Sequence, residues 1–105
     1  MLITNNNQIA NHEITKDLGL VKGNTIRAKH LGNDILAALR NLIGGEVKGY
    51  TKMISEARNQ ALARMEEEAT ERGADAIINI RFTTSQVMSG AAEILVYGTA
   101  VKLKT

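Results

Sequence analysis

The sequence predicts an α+β fold, a small antiparallel sheet with two helices on one of its faces, and three observations dictate it. Three segments repeat their apolar residues with period two, as half-buried strands do, and two others repeat them at i, i+3 and i+4, as amphipathic helices do. The helical pair lies between the first strand and the last two. Finally, 105 residues suffice for one domain with one core, so residues 1–105 are expected to form a single unit.

After a short apolar start at Leu2-Ile3, residues 18–29 read as a strand. Leu20, Ile26 and Ala28 share one parity, Val21, Gly23 and Thr25 the other, and β-branched residues are frequent. Gly23 within this run marks a bulge or a close approach of other backbone. His30 to Asp34 form a loop in which Asn33 or Asp34 caps the first helix, Ile35–Ile43, whose Leu36, Leu39 and Leu42 recur at helical spacing. Gly44-Gly45 supplies the positive φ that ends that helix. The second helix runs from about Thr51 to Arg72, with Tyr50, Met53, Ile54, Ala57, Ala61, Leu62 and Met65 on its apolar face and Gly73 as its stop. Lys52, Glu56, Asn59, Glu66, Glu67 and Thr70 make a solvated face. Arg64, Glu68 and Arg72 follow at i,i+4 spacing, which pairs opposite charges on a helix surface.

Residues 74–84 alternate Ala76, Ile78, Ile80 and Phe82 against Asn79, Arg81 and Thr83, the pattern of a half-buried strand. The polar stretch from Thr84 to Gly90 suits a hairpin loop. In residues 92–103, Ile94, Val96, Gly98 and Ala100 alternate with Leu95, Tyr97, Thr99, Val101 and Leu103, so both faces of this strand are apolar. Helices on one side cover one face. The second face wants another copy of the chain, which predicts a homo-oligomer that a charge at Val96 or Val101 would dissociate or unfold.

Composition excludes several chemistries. There is no cysteine, hence no disulfide, thiolate metal site or cysteine nucleophile, and a reducing compartment fits. The start of the chain lacks the basic and apolar stretches of a signal peptide, and no run approaches the ~20 apolar residues of a membrane span. A cytoplasmic location and no membrane partner are expected. The 13 basic and 11 acidic residues interleave to a net charge of +2, without the basic stripe that tracks a phosphate backbone, so no nucleic-acid partner is expected.

A metal site needs ligands converging on one point, and the pool is two histidines, His12 and His30, with carboxylates such as Asp17, Asp34, Glu46 and Asp75. His30 and Asp34 are four apart but straddle a loop and a helix cap, which makes them weak candidates. Gly44-Gly45-Glu46 is the stronger ligand-binding candidate, because glycines admit a close approach to backbone amides and a carboxylate stands beside them. The same residues also serve a tight turn and the dipole of the next helix. Tyr50 and Arg58 are placed to hold Glu46. Ser55, Ser85 and Ser89 have no strand–turn–helix elbow, and no phosphate loop follows Gly44-Gly45, so no catalytic residue is assigned and no cofactor is required.

Five fragments together resemble one family. They are the run from Gly19 to Ala28, Gly44-Gly45-Glu46 with Tyr50, Glu56-Ala57-Arg58 with Ala61 and Arg64-Met65, Gly73-Ala74-Asp75-Ala76, and Tyr97-Gly98-Thr99-Ala100-Val101. In this order they are similar to the YbjQ-like family, labelled a putative heavy-metal-binding domain. The resemblance implies a dodecin-like subunit built into a pentameric ring, with no established biochemical activity. A heavy-metal-binding protein using His and carboxylate ligands is the alternative it carries.

Overall fold

The structure, a computed structural model, describes residues 1–28, 48–88 and 91–105. They form strands β1 (Leu2–Ile3) and β2 (Ile14–Ala28), helix α1 (Lys48–Glu71), and strands β3 (Ala76–Met88) and β4 (Ala91–Leu103). The α+β class holds, and the strands make one four-stranded sheet in the order β1-β3-β4-β2. The sheet is mixed rather than antiparallel. β2 and β3 each run antiparallel to β4, but β1 lies parallel to β3, with Leu2 opposite Ala76 and Ile3 opposite Ile77. Two residues are too few for a periodicity to reveal direction, and the long path from β1 to β3 permits the parallel arrangement. The expected helix Ile35–Ile43 and its Asn33 or Asp34 cap lie outside the described residues, so α1 is the one helix described.

α1 begins three residues earlier than the sequence predicts and ends where Gly73 takes a φ of 76°. The amide of Gly73 donates to the Thr70 carbonyl at 2.9 Å and that of Ala74 to Ala69 at 3.0 Å, the paired bonds of a Schellman cap. Its buried stripe is Ala57, Ala61, Met65 and Ala69, all fully covered, with Ile54 and Leu62 partly so. Ala69 extends the predicted apolar face by one turn.

Small side chains on both sides let α1 lie close to β2. A Cβ on Gly23 would overlap the Ala61 carbonyl oxygen and lie 2.5 Å from the Met65 amide nitrogen, so the close approach expected at Gly23 is what occurs. The parity of β2 that reads as less apolar, Val21, Gly23 and Thr25, is therefore the buried one. Thr25 is accommodated because its hydroxyl donates to the Ala57 carbonyl at 3.0 Å.

β3 departs from strict alternation. Asn79 has a φ of 54°, and the register with β4 slips between Ile78 and Arg81. This bulge puts Ile77 and Ile80 together in the core under α1, while Ala76 and Ile78 join Val101 on the opposite face. The sequence grouping of Ala76, Ile78, Ile80 and Phe82 on one side is thus corrected. Much of the stretch expected as a hairpin loop is strand, because Thr84, Ser85 and Gln86 pair with Ile94, Glu93 and Ala92 and β3 continues to Met88. Residues 83–86 are exposed, and a ribbon wet on both sides needs no apolar alternation to mark it.

The face of the sheet away from α1 carries a second cluster of Ala76, Ile78 and Val101, against which Ile9, Ile14 and Leu103 pack. Ile9 of the N-terminal segment and Ile14 at the start of β2 cover that end, so part of the second apolar face of β4 is covered within the chain itself.

Candidate functional site

Beyond that cluster the face of the sheet away from α1 is open among the described residues. Antiparallel register sets Leu20 opposite Thr99, Lys22 opposite Tyr97, Asn24 opposite Leu95 and Ile26 opposite Glu93, all on this face. Diagonal neighbours then join Leu20, Tyr97, Leu95 and Ile26 into one apolar stripe. Leu20 is 59% exposed, Ile26 57% and Tyr97 38%.

A second apolar feature lies at the other edge of the sheet. A groove of about 490 Å³ is lined by Ile3, Thr4 and Asn5 of the first strand and its exit, Leu62 of α1, and Ile80 and Phe82 of β3. It exists because the Asn79 bulge returns Ile80 and Phe82 to the α1 side, and Phe82 remains 47% exposed there. The amide of Asn79 donates to the Asn6 carbonyl at 2.9 Å, and the Arg81 guanidinium to that of Asn5 at 2.9 Å, fixing the wall of the groove. Such a volume suits a small apolar ligand or a buried side chain.

Polar groups gather on α1 along the outer edge of β2. Arg72 Nη1 donates to the carbonyls of Leu18 and Leu20 at 3.2 and 2.8 Å, and Arg64 Nη1 to that of Asn24 at 2.6 Å. Glu68 Oε2 accepts the Lys22 amide at 3.2 Å while its Oε1 pairs with Arg72 at 3.0 Å. Gln60 Oε1 accepts from Arg27 at 3.2 Å. The Arg64, Glu68, Arg72 series, which i,i+4 spacing marks as surface pairing, is thus turned to the strand edge.

The residues nominated from the sequence fall elsewhere. Gly44, Gly45, Glu46, His30 and Asp34 lie outside the described residues. Tyr50 is in the first turn of α1, and Arg58 is exposed two turns further on. His12 is exposed in the turn before β2, its amide donating to the Ile9 carbonyl at 3.1 Å. Asp75 is occupied structurally, since its Oδ2 accepts the Leu103 amide at 2.9 Å. Among the described residues no three His, Asp or Glu side chains gather as metal ligands. No described helix is long and apolar enough to cross a membrane.

Sequence reasoning missed the groove and the capped edge. The first depends on a bulge, which no periodicity signals; the second was written in the i,i+4 spacing but needed the strand beside it.

Similarity to known proteins agrees with this fold. Residues 1–104 match the family model YbjQ_1, described as putative heavy-metal-binding. A UPF0145 protein of Dehalococcoides mccartyi is 61% identical over 101 residues, covering 96% of this chain and 97% of the relative. Another, from Methanosarcina acetivorans, is 57% identical over 103 residues, with coverage of 98% and 97%. A third, from Thermotoga maritima, is 56% identical over 104 residues, with coverage of 99% and 98%. The crystal structure of a protein of unknown function of the DUF74 family from Pediococcus pentosaceus superimposes with a TM-score of 0.66 at 18% identity, covering 99% of this chain and 98% of that one, a likeness of fold alone. With nearly its whole length matched by the family model and by these relatives, the chain belongs to the YbjQ-like, UPF0145 family.

Proposed function

We propose that the protein acts as a homo-oligomeric binding or structural protein, its subunits meeting through the face of the sheet away from α1 and enclosing a small-ligand or ion site between them. The observation that carries this reading is the stripe of Leu20, Tyr97, Leu95 and Ile26, in which two aliphatic side chains stand more than half exposed. Burying each of these is worth roughly 1.5–3 kcal/mol, a gain that a lone subunit forgoes.

The family resemblance supports a pentameric ring as the form of the oligomer. Gly44, Gly45 and Glu46, with Tyr50 in the first turn of α1 and Arg58 two turns further on, are the proposed ligand-binding residues. Catalysis is not part of the proposal, and neither nucleic acid nor membrane is a proposed partner. Light scattering behind size exclusion tests the assembly directly: a mass several times that of one chain is expected, and a monomer at micromolar concentration would overturn it. Native mass spectrometry of the same sample reads any molecule held between subunits.

The description of the matching family favours a second reading, heavy-metal binding. Without cysteine, its ligands would be His30, Asp34 and Glu46, from one chain or from symmetry copies around a ring axis. Titration with transition metals separates the readings. Stoichiometric binding that is lost in His30→Ala and Glu46→Ala supports the metal site; no binding, or binding unchanged in both, removes it.

A further inference from the structure

The two edges of the sheet are treated differently. β1 is two residues long, and a strand that short offers little edge to a newcomer. β2 is a 15-residue strand and the terminal one on its side among the described residues, with a row of main-chain groups directed away from β4. A long edge of this kind is a template for adding a strand from another molecule. Apolar Leu20 and Ile26 beside it would strengthen such an addition.

α1 lies antiparallel along this edge, and the two repeats nearly match. Four helical residues advance about 6 Å and two strand residues about 6.8 Å, so side chains at i,i+4 on one meet main-chain groups at i,i−2 on the other. Arg72 reaches Leu20, Glu68 reaches Lys22 and Arg64 reaches Asn24, at 2.8, 3.2 and 2.6 Å. Arg72 also holds Leu18 at 3.2 Å, so four outward groups of β2 are taken, one amide by a carboxylate and three carbonyls by guanidinium groups. Charged partners make the stronger hydrogen bonds.

We propose that this Arg64, Glu68, Arg72 series is a built-in guard that closes the β2 edge to strand addition, so that self-association is confined to other surfaces. Any extended peptide that sought to pair with β2 would first have to displace three charged side chains, each anchored on a helix that is itself packed on Gly23. The guard does not depend on which surface the assembly uses.

The test is the variant R64A/E68A/R72A, which keeps good helix formers in α1. Hydrogen exchange of the Lys22 amide is expected to speed up about tenfold, the protection one hydrogen bond confers. On standing, the folded variant should gain thioflavin fluorescence and a scattering mass that grows past that of the wild type. Adding Lys22→Pro, which removes an outward amide without touching the pairs to β4, should suppress that growth. If the triple variant is folded by circular dichroism and keeps the wild-type mass, the proposal is wrong. It is equally wrong if the growth persists unchanged with Lys22→Pro, since the association then uses another surface. Should the triple variant fail to fold, R64A/E68A, with Arg72 retained, is read by the same criteria.

Discussion

Gly23 of β2 and Ala61 of α1 meet backbone to backbone, with no room for a side chain between the strand and the helix carbonyl. This contact sets the depth at which α1 sits, and with it the reach of Arg64 and Glu68 to the strand edge. Gly23→Ala is therefore expected to cost about 3 kcal/mol, at the upper end for an overpacked site, because both obstacles are backbone atoms that cannot rotate away. Urea unfolding measures it. An unchanged midpoint would show that the helix rides higher than this.

Thr25 and Ala57 form the other link between these elements, a 3.0 Å hydrogen bond from a buried hydroxyl to a helix carbonyl. Thr25→Val keeps the shape and deletes the donor, so a loss of about 1 kcal/mol is expected. Thr25→Ser keeps the donor and should retain that hydrogen bond while losing only a methyl group. If the Val variant proves as stable as the wild type, the hydroxyl contributes nothing net.

What the sequence revealed followed from how each element is specified. α1 was legible because its apolar residues repeat at helical spacing and Gly73 supplies the one conformation a Schellman cap requires. β4 was legible because Ile94, Val96, Gly98 and Ala100 alternate without interruption. The bulge at Asn79 was hidden, since an asparagine in a strand reads only as a solvent-facing residue, and every facing after it was then inverted. Direction in β1 was hidden by its shortness. At the candidate site, the apolar excess of β4 was visible, but the packing of Ile9 and Ile14 on Val101 was not, because a segment without periodicity announces no face.

Asn79 offers a direct check on that bulge. Its φ of 54° lies in the left-handed region, which asparagine tolerates and a β-branched residue does not. Asn79→Val is expected to cost about 1–2 kcal/mol, while Asn79→Gly should be near neutral. Thermal unfolding of both variants decides it. If Val is tolerated as well as Gly, residue 79 is not held at positive φ, and the groove lined by Ile80 and Phe82 loses its basis.

Charges on the two faces of β4 and β2 separate folding from assembly. Val96 and Val101 are both fully buried within one subunit, Val96 under α1 and Val101 under the N-terminal segment. Val101→Asp should therefore unfold the chain rather than merely dissociate it, because a buried unpaired carboxylate costs several kcal/mol. Leu20→Asp and Ile26→Asp fall on exposed positions and should leave the isolated subunit folded, with circular dichroism unchanged. On the proposed assembly the same two variants should run at a lower mass, approaching that of one chain, since a carboxylate in an interface core is desolvated without a partner. If Leu20→Asp and Ile26→Asp both keep the wild-type mass, the stripe on the face away from α1 is not where the copies meet.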